Sequence, residues 1–449
     1  MGKKIFVLCL TALFVFAITN AQLVAGPMLG QVELRTAKIW VEVKPGSTVD
    51  LWYWKKGNIA AAQRLSASTS ATSWYAPVVF DLVALDMNTS YEYQVILNSK
   101  GKKPSAADGS FTTKDLWQWR KPAPDFSFLT GSCAYINEPV YDRPGKPYGG
   151  DSSIFESMAK EKAAFMIWLG DNWYTREADY FSEWGLWYRA SHDRSLPVLQ
   201  SFLKSMSHYA IWDDHDYGPN NADKSYTLKA ASRNVFMNYW ANPSYGLKNE
   251  GIYTLVSYGD ADFFMMDDRY FRSSDDMEPL VYDKPNPEKR MWGKEQLDWL
   301  KNSLLNSKAT FKFIVTGSQT LNPFSVADCL QSYPIEFDEI MNFLLAEKIE
   351  GVLFLTGDVH HSEIIKYNRN RAYPLYDISS SPLTSGVYKV SGTENPARVN
   401  GTLVEVQNYT RIAVTGNKGE RKLTVEFLGV KGETLSNWSI SEKDLKMPK

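Results

Sequence analysis

Six short apolar segments each lead directly into a loop rich in Asp, His, Cys or Asn. In chain order they are FSFLT before GSC from Phe126, FMIWL before GDNWY from Phe165, HYAIW before DDHD from His208, DFFMM before DDRY from Asp262, FKFIVT before GSQT from Phe311, and GVLFLT before GDVHH from Gly351. Short apolar runs bounded by polar loops are typical of fully buried strands. Helical segments lie between them, such as KEQLDWLKNSLLNS from Lys294. This alternation predicts an α/β sheet with a functional site along the edge where the strands end.

The segment before these runs has a different pattern. Residues 22–115 alternate in short β-like runs such as AKIWVEV and YEYQVIL, separated by Pro, Gly, Ser and Asn turns, which predicts an all-β sandwich. Within it, LDMNTSYEYQV resembles a late strand of a fibronectin type III-like domain. We predict a linker at residues 116–125 and a second domain at residues 126–449. Its last runs, TLVEV, RIAVTG and KLTVEFLGV, are predicted strands that complete or flank a sheet.

The first 21 residues predict a secretory signal peptide. Lys3 and Lys4 precede an apolar stretch from Ile5 to Ile18, and small and polar residues then suit cleavage near Ala21. A retained membrane anchor is the alternative, although this stretch is short for a span. We therefore expect an exported protein, periplasmic or extracellular, with no membrane span after cleavage.

The charge of the chain gives no indication of a partner that is a polyanion. Without the two lysines of the signal, the 49 basic residues fall to 47 against 51 acidic ones, a net charge of −4. A basic surface for nucleic acid is therefore not expected. The chain has 449 residues and 44% apolar content, enough to bury a sizeable core.

The loops after the predicted strands carry the chemistry. Three of the five histidines lie in two of them, and Asp171, Asp214, Asp358 and His360 all follow predicted buried strands. A buried carboxylate is costly unless it is paired or bound to a cation. So many carboxylates in one region predict a metal site, with two ions more plausible than one.

The ordered set of loops resembles the alkaline phosphatase D (PhoD-like) family, a branch of the calcineurin-like metallophosphoesterases. The resemblance rests on GSC at Gly131, GDNWY at Gly170, WDDHDYGPNN at Trp212, DDRYFR at Asp267, GKEQLDWL at Gly293, GDVHHSE at Gly357 and SSSPLTS at Ser379. It implies a four-layer αββα core, preceded in many members by a β-sandwich. It also implies a dinuclear centre, with Fe³⁺ and Ca²⁺ as the expected pair.

The resemblance assigns a role to each ligand. Cys133 as thiolate, Tyr174 as phenolate and His360 are expected on the iron side, Asp171 bridges the ions, and Asp358 completes the set. Asp214 and Asn220 are expected on the second ion, with Asn221 as the alternative because a GlyPro insert precedes the two asparagines. Thiolate, phenolate and imidazole favour a transition metal, whereas carboxylate and amide oxygens favour a hard cation. A Cys133–Cys329 disulfide would remove the thiolate, and it remains open at this point.

Three further residues are candidates for substrate chemistry. His215 aligns with the histidine that protonates the leaving group in calcineurin-like enzymes, and its alternative role is a hydrogen bond to a ligand carboxylate. Arg189 and Arg269 are predicted to bind phosphate oxygens, with a structural ion pair as the alternative for each.

These observations predict an exported phosphatase that cleaves phosphate monoesters and diesters by attack of a metal-bound hydroxide. One alternative is a dedicated phosphodiesterase or phospholipase-type enzyme that grips an apolar leaving group with the aromatic segment Trp173–Tyr188. A second alternative is a surface-binding protein with a catalytically silent core, which predicts that some ligand position is degraded.

Overall fold

The computed structural model describes residues 23–97, 105–325 and 328–448 of the 449. The predicted signal peptide lies outside these ranges. The strands are β1 Leu23–Val32, β2 Ala37–Val43, β3 Thr48–Lys55, β4 Gln63–Ser68, β5 Ala76–Leu82, β6 Ser90–Leu97, β7 Ser105–Thr112, β8 Phe126–Gly131, β9 Phe165–Leu169, β10 Ser207–Ile211, β11 Thr254–Tyr258, β12 Ala261–Met265, β13 Leu280–Val281, β14 Lys284–Pro285, β15 Phe311–Val315, β16 Val352–Thr356, β17 Glu363–Tyr367, β18 Leu375–Ser379, β19 Asn408–Thr415, β20 Lys422–Gly429 and β21 Thr434–Ser441. The helices are α1 Ile154–Met158, α2 Glu183–Arg194, α3 Pro197–Leu203, α4 Asp214–Tyr217, α5 Lys229–Tyr239, α6 Lys294–Asn306 and α7 Pro334–Ala346.

Two large sheets form the centre of the molecule. One has the order β21-β20-β19-β8-β9-β10-β1-β2-β5, and the other has the order β11-β12-β15-β16-β18-β17. The predicted strands β8, β9 and β10 run parallel in the first sheet, and β12, β15 and β16 run parallel in the second. Every residue of β9, β10, β15 and β16 is buried. The six predicted strands are thus confirmed.

The two sheets face each other across a layer of phenylalanine rings. Phe128 stacks on Phe165 with ring centroids 5.2 Å apart, and it meets Phe263 of the opposite sheet edge-to-face at 5.0 Å. Phe313 extends this layer by stacking on Phe263 at 4.9 Å. Because these rings are removed from water, they supply much of the apolar burial that holds the sheets together.

Helices cover the outer face of each sheet. Helices α2, α3 and α5 lie beside the first sheet, and α6 and α7 contact each other beside the second. In α6, Leu297, Leu300 and Leu304 are buried on one face, as predicted from their spacing. The order helix, sheet, sheet, helix confirms the four-layer αββα core.

The N-terminal region is all β, as predicted. A four-stranded sheet, β4-β3-β6-β7, packs its apolar face on β1, β2 and β5. In the segment that resembles a fibronectin strand, the buried Tyr91 hydroxyl accepts a hydrogen bond from the Asp86 backbone N–H at 2.9 Å. This bond fixes the turn before β6, which is the role of the tyrosine corner in such sandwiches.

The N-terminal region is connected to the core by a shared sheet and by side-chain hydrogen bonds, in addition to the covalent chain. Strand β1 runs parallel to β10, with Leu29 opposite Ser207, so the first large sheet continues into the sandwich. The buried Glu42 carboxylate accepts hydrogen bonds from Ser191 Oγ at 2.7 Å and from the Tyr239 hydroxyl at 3.0 Å. Burial raises the pKa of Glu42 to about 7. The boundaries at residues 115 and 126 stay a prediction.

The C-terminal segment completes the first sheet with β19, β20 and β21, as predicted. The run TLVEV, however, forms no strand, and there the prediction was wrong. Only Val404 makes an isolated bridge, to Ser362. Alternating apolar residues are not sufficient for a strand, because a strand also needs a neighbour along its length. Among the described residues, no helix has the length and apolar character required to cross a membrane.

Candidate metal centre

The loops after four parallel strands meet at one edge of the two sheets. Cys133 follows β8, Asp171 follows β9, and Asp214 begins α4 directly after β10. From the second sheet, Asp358 and His360 follow β16. Because parallel strands end at the same edge, residues far apart in sequence come together there.

The ligand atoms of these residues form three overlapping groups, within each of which all atoms lie within 4.8 Å of one another. The groups are Cys133 with Asp171 and His360, Asp171 with Asp214 and His215, and Asp213 with Asp214 and Asp358. Asp171 belongs to two groups, and so does Asp214. The arrangement therefore offers adjacent cation positions with shared carboxylates between them.

Four of these residues have left-handed backbone conformations. The φ angles are 58° at Cys133, 52° at Asp171, 65° at Asp358 and 56° at His360. Each such conformation costs on the order of 1–3 kcal/mol for a residue other than glycine. All four residues lie in the loops that follow buried strands, and their ligand atoms belong to the overlapping groups described above.

Glycines allow the loops to approach each other. Gly170 has a φ of 91°, and a side chain there would place its Cβ 2.6 Å from Cβ of Asp213. A Cβ at Gly357 would lie 2.7 Å from Cβ of Ser132 and 2.8 Å from the carbonyl oxygen of Leu169. The Gly-Asp pairs of GDNWY and GDVHH are therefore required by the close packing of neighbouring loops.

The centre holds buried polar atoms that no protein group satisfies. Within the described ranges, Asp171 Oδ2, Asp214 Oδ1 and the Tyr174 hydroxyl are buried and have no hydrogen-bond partner. Burial raises the pKa of Asp171 well above its usual value, and the neighbouring Asp214 raises it further. Burial likewise raises the pKa of the Cys133 thiol to about 11 and raises that of Tyr174. A bound cation would supply the missing partner and would favour the ionised forms, so the donors fit a metal.

In the remaining carboxylates, burial again opposes ionisation, and neighbouring charges also shift the pKa. Burial raises the pKa of Asp358 to about 7, and the charges of Asp328 and Asp214 act in the same direction. Burial also opposes ionisation of Asp214, but His215 and Arg269 lie close enough to hold its pKa below the usual value. Asp214 is thus the carboxylate most readily ionised before any cation binds.

The hydrogen bonds of His360 define which ring nitrogen can bind a metal. Its Nδ1 lies 2.6 Å from the carbonyl oxygen of Gly386, and a carbonyl can only accept, so Nδ1 carries the proton. Nε2 then keeps a free lone pair, which is the usual arrangement for a ligand histidine. Burial lowers the pKa of this ring, which favours the neutral form.

Cys133 is not in a disulfide. Both Cys133 and Cys329 are free and buried, and Ser381 Oγ donates a hydrogen bond to the Cys133 sulfur at 3.1 Å. The disulfide alternative is therefore absent from this structure, and the thiol remains available as a ligand.

Asn220 and Asn221 both line the cavity above the centre. The Asn221 backbone N–H donates to Asp214 Oδ2 at 2.7 Å, and its φ is 56°. The side-chain amide of Asn220 donates to Asn221 Oδ1 at 2.9 Å. Both asparagines thus lie next to Asp214, and Asn220 stays the predicted ligand with Asn221 as its alternative.

His215 lies beside the predicted ligands. Its ring stacks on Tyr174 with centroids 4.2 Å apart, and its backbone N–H donates to Asp171 Oδ1 at 3.2 Å. Asp216 fixes the two loops relative to each other, because it accepts hydrogen bonds from the backbone N–H groups of Asn172 and Asp213. Burial lowers the pKa of His215, whereas the neighbouring charge of Asp214 acts in the opposite direction.

The predicted phosphate contact of Arg189 is wrong. Its side chain is fully buried, and it forms ion pairs with Asp179 at 2.8 Å, Glu138 at 2.8 Å and Asp193 at 3.3 Å. We call these four residues the Arg189 cluster. A guanidinium with three carboxylate partners and no exposed surface cannot reach a substrate, so the ion-pair alternative applies.

Arg269 also requires a correction. It is fully buried, its Nε bonds to Asp213, and its guanidinium pairs with Asp328 at 2.8 Å. It approaches Asp214 to 4.0 Å. Arg269 thus acts on the centre through the charge it provides to Asp213 and Asp214, and it does not point into the open cavity.

A cavity of about 1020 Å³ opens above the centre. It exposes Asp214, His215, Asp358 and His360 and is also lined by tyrosines that the sequence pattern did not indicate, among them Tyr148 and Tyr388. The Tyr148 hydroxyl lies 3.2 Å from His360 Nδ1 and 3.3 Å from the Tyr388 hydroxyl. Both tyrosines lie in loops without a periodic pattern, and no motif in the chain marks them.

Two facing sheets with helices outside, and a cluster of carboxylate, thiol, phenol and imidazole groups at their common edge, define the metallophosphoesterase class. A family model described as PhoD-like phosphatase matches residues 128–431, and a model for a domain of unknown function, DUF7800, matches residues 20–115. The chain therefore belongs to the PhoD-like phosphatase family.

Known proteins support this assignment. The chain is 24% identical to alkaline phosphatase D of Bacillus subtilis (strain 168) over 282 residues, which are 53% of this chain and 46% of that relative. The match thus spans about half the length of that protein. A structure of PhoD superimposes with a TM-score of 0.75 at 18% identity, covering 96% of this chain and 92% of that one. Purple acid phosphatase PPD1 from yellow lupin seeds shares the fold, with a TM-score of 0.65 at 10% identity and coverage of 94% and 76%.

Proposed function

We propose that this protein is an exported, metal-dependent phosphatase that hydrolyses phosphate monoesters and diesters. The observation that carries the proposal is the convergence of Asp171, Asp214, Asp358 and His360 from both sheets at the base of an open cavity. Among the described residues, Asp171 Oδ2 and Asp214 Oδ1 are buried and lack a hydrogen-bond partner, so the centre is suited to cations.

The donor set separates into two chemical types. Cys133, Tyr174 and His360 supply sulfur, phenol and imidazole on one side, which suits Fe³⁺. Asp214, Asn220 and Asp358 supply oxygen on the other side, which suits Ca²⁺. Asp171 is the proposed bridge, because its ligand atoms belong to groups on both sides. When bound, such a pair of ions lowers the pKa of water and stabilises charge on phosphoryl oxygens.

His215 is the proposed proton donor to the leaving group. Its ring is held against Tyr174 and faces the cavity, where the departing oxygen of an ester would lie. Arg269 holds Asp213 and Asp214 in place from behind. We expect activity at neutral to alkaline pH, because a nucleophile must ionise while His215 can still transfer a proton.

The identity of the metals can be tested on the purified protein. Elemental analysis should find iron and calcium, and a visible absorption band should arise from charge transfer to iron. The band should vanish in Tyr174→Phe and shift in Cys133→Ser. A colourless protein with only zinc or calcium would contradict the metal assignment and leave the phosphatase proposal intact.

The alternative of a dedicated phosphodiesterase is favoured by one observation, the size of the cavity. At about 1020 Å³ it has room for substituents on both sides of a phosphate. Turnover of bis-p-nitrophenyl phosphate against p-nitrophenyl phosphate separates the two functions. A ratio far above one would favour the diesterase. The silent-core alternative predicts a missing ligand, whereas all predicted positions are filled.

Export is the part of the proposal that depends on residues 1–21. N-terminal sequencing of the protein recovered from expressing cells should begin near residue 22. A mature protein that keeps Met1 would contradict it.

A further inference from the structure

A row of aromatic rings runs along the surface from the sandwich toward the metal centre. Tyr75 lies 6.3 Å from Trp184, Trp184 stacks on Tyr188 at 5.4 Å, and Tyr188 meets Tyr141 edge-to-face at 6.0 Å, all between ring centroids. We call these four residues the aromatic strip. Trp184 is 48% exposed and Tyr141 is 42% exposed, so the strip is open to solvent.

The sandwich end of the strip lies in a second cavity, of about 640 Å³, between the β4–β5 loop with its adjoining strand ends and helices α2 and α5. Trp74, which is 56% exposed, Tyr75 and Trp187 form its aromatic part. Its polar part consists of serine and threonine hydroxyls and of the amides of Asn234 and Asn238, and Glu183 is its one charged residue.

The other end of the strip reaches the cavity of the metal centre, because Tyr141 lines that cavity. The rings between the two cavities are fixed in position. The Tyr188 hydroxyl donates to Glu138 at 2.6 Å, and Trp184 lies in the first turn of α2, which Ser182 caps by accepting from the Gly185 N–H. A ligand that covers the strip therefore finds a preformed surface.

The chemistry of the lining selects the kind of ligand. A nearly neutral cavity with hydroxyls and amides offers hydrogen bonds but no counter-charge for an anion. Exposed indole and phenol rings offer flat apolar faces, and tyrosine and tryptophan combined with small polar residues make adaptable recognition surfaces. Pyranose sugars match both properties, because they carry axial C–H groups on their faces and hydroxyls around their edges. A lipid chain would leave the hydroxyls and amides unpaired.

We propose that the aromatic strip binds a chain of neutral pyranose sugars and presents a phosphate ester on that chain to the metal centre. The second half of this inference rests on the proposed phosphatase function. The first half, binding of the sugar chain, does not depend on catalysis.

Binding is tested by isothermal titration of the whole protein with laminaripentaose and cellopentaose, which carry no phosphate. Parent protein should bind at least one of them, and Trp184→Ala should weaken that binding about tenfold. Trp184→Phe keeps an aromatic ring and should recover part of the affinity. Trp119→Ala is the matched control, since Trp119 is fully exposed and belongs neither to the strip nor to the lining of either cavity. Binding by neither sugar, or equal binding by Trp184→Ala, overturns the proposal.

Presentation of the ester is tested by comparing p-nitrophenyl phosphate with cellopentaose phosphorylated on its terminal 6-hydroxyl. Trp184→Ala should raise KM about tenfold for the phosphorylated sugar only, with unchanged kcat, while its activity on the aryl ester shows that it is folded. If parent hydrolyses the aryl ester but ignores the sugars, only this inference fails. If it binds sugars without hydrolysing either ester, the proposed function fails together with the presentation of an ester, and the sugar binding by the strip stands.

Two other occupants of the strip are outcomes that overturn the proposal. Trp184-dependent sedimentation with phosphatidylcholine vesicles would assign the strip to lipid. A dimer that dissociates in Trp184→Ala, measured by light scattering, would assign it to a second copy of the chain.

Discussion

The metal centre and the Arg189 cluster both bury several ionisable side chains, but the two sites differ in how the carboxylates are paired. In the Arg189 cluster, one guanidinium forms three ion pairs, with Glu138, Asp179 and Asp193. In the metal centre, Asp171 Oδ2 and Asp214 Oδ1 lack a hydrogen-bond partner within the described ranges. Burial of charge therefore does not identify a functional site, and an unpaired oxygen alone does not either, since Asp193 Oδ2 also lacks a hydrogen-bond partner. The metal centre differs in the left-handed backbone at Cys133, Asp171, Asp358 and His360.

The strongest way to break this comparison is to remove one carboxylate from each cluster. Asp171→Asn should lower kcat/KM for p-nitrophenyl phosphate by about 10³-fold or more, because the amide cannot bridge two cations. Its free energy of unfolding without metal should not fall, because a buried unpaired charge is removed. Steady-state kinetics and urea unfolding of the apoprotein measure both quantities. Parent-like activity would refute the role of the centre.

The matched variant in the other cluster should behave in the opposite way. Asp179→Asn removes a buried carboxylate from Arg189 and should lower the free energy of unfolding by about 3 kcal/mol. Its kcat/KM should stay near that of parent, since Arg189 does not line the cavity of the centre. Urea unfolding and kinetics at the same pH test this pair of outcomes. A large loss of activity in a stable Asp179→Asn protein would return Arg189 to the catalytic machinery.

Metal removal sharpens the comparison further. Removing the metal by dialysis against chelator should lower the free energy of unfolding of the parent protein. The loss should be about 2.7 kcal/mol per site when the comparison sample contains free metal at roughly one hundred times its Kd. The same treatment should leave Asp171→Asn almost unchanged. Thermal and urea unfolding with and without added iron and calcium measure the difference. An equal response of the two proteins would show that the metal binds elsewhere.

A buried histidine outside both clusters should respond to pH. The side chain of His208 accepts from Trp168 Nε1 at 3.1 Å and bonds the Phe202 carbonyl at 3.0 Å, and burial lowers its pKa from 6.5 to about 3. In the unfolded chain this ring takes up a proton below pH 6.5, whereas the buried ring stays neutral down to about pH 3. Its contribution to the free energy of unfolding is therefore complete above pH 6.5 and is lost as the pH falls toward 3. Between pH 7 and pH 5 the loss should be about 2 kcal/mol.

The prediction is checked by measuring the free energy of unfolding of His208→Gln and of parent as a function of pH. This variant should be less stable than parent at pH 7, because the ring is lost, but it should lack this part of the acid dependence. If the two slopes are equal below pH 6.5, another group causes the loss.

The smallest effect is expected where left-handed backbone has no functional role. Lys348 has a φ of 51° two residues after α7, at a position where helices commonly end in glycine. Lys348→Gly should raise the free energy of unfolding by about 0.5 kcal/mol without a change in kcat. A stability loss would mean that the lysine side chain contributes more than the strain costs. Asp358 and His360 share the left-handed conformation, but glycine cannot replace them without loss, because their side chains are proposed metal ligands.

The sequence was sufficient to predict the strands and the residues that follow them, since both depend on local pattern. FMIWL is apolar throughout because β9 is covered on both faces, and GDNWY marks its end. The roles of Arg189 and Arg269 were predicted wrongly because their partners lie far away in sequence. Glu138 precedes Arg189 by 51 positions and Asp328 follows Arg269 by 59, and no local pattern identifies such pairs.

Two other features could not be predicted from the sequence, for similar reasons. TLVEV alternates like a strand, but the fold supplies no neighbour for it beyond the single bridge at Val404. Tyr148 and Tyr388 enter the cavity on irregular loops, whose path depends on the packing of the whole core. The clustering of the proposed ligands was predictable from the sequence, and the wall of the cavity was not.

The pairing of β1 with β10 has a consequence for any attempt to shorten this chain. β10 leads directly to Asp213 and Asp214, and β1 covers its outer side. A truncated form beginning near residue 116 would make β10 an exposed edge strand with unpaired amide and carbonyl groups. Exposed edge strands pair with other chains and promote aggregation. The N-terminal region thus protects the catalytic half, and fragments for expression or crystallisation should keep the two halves together.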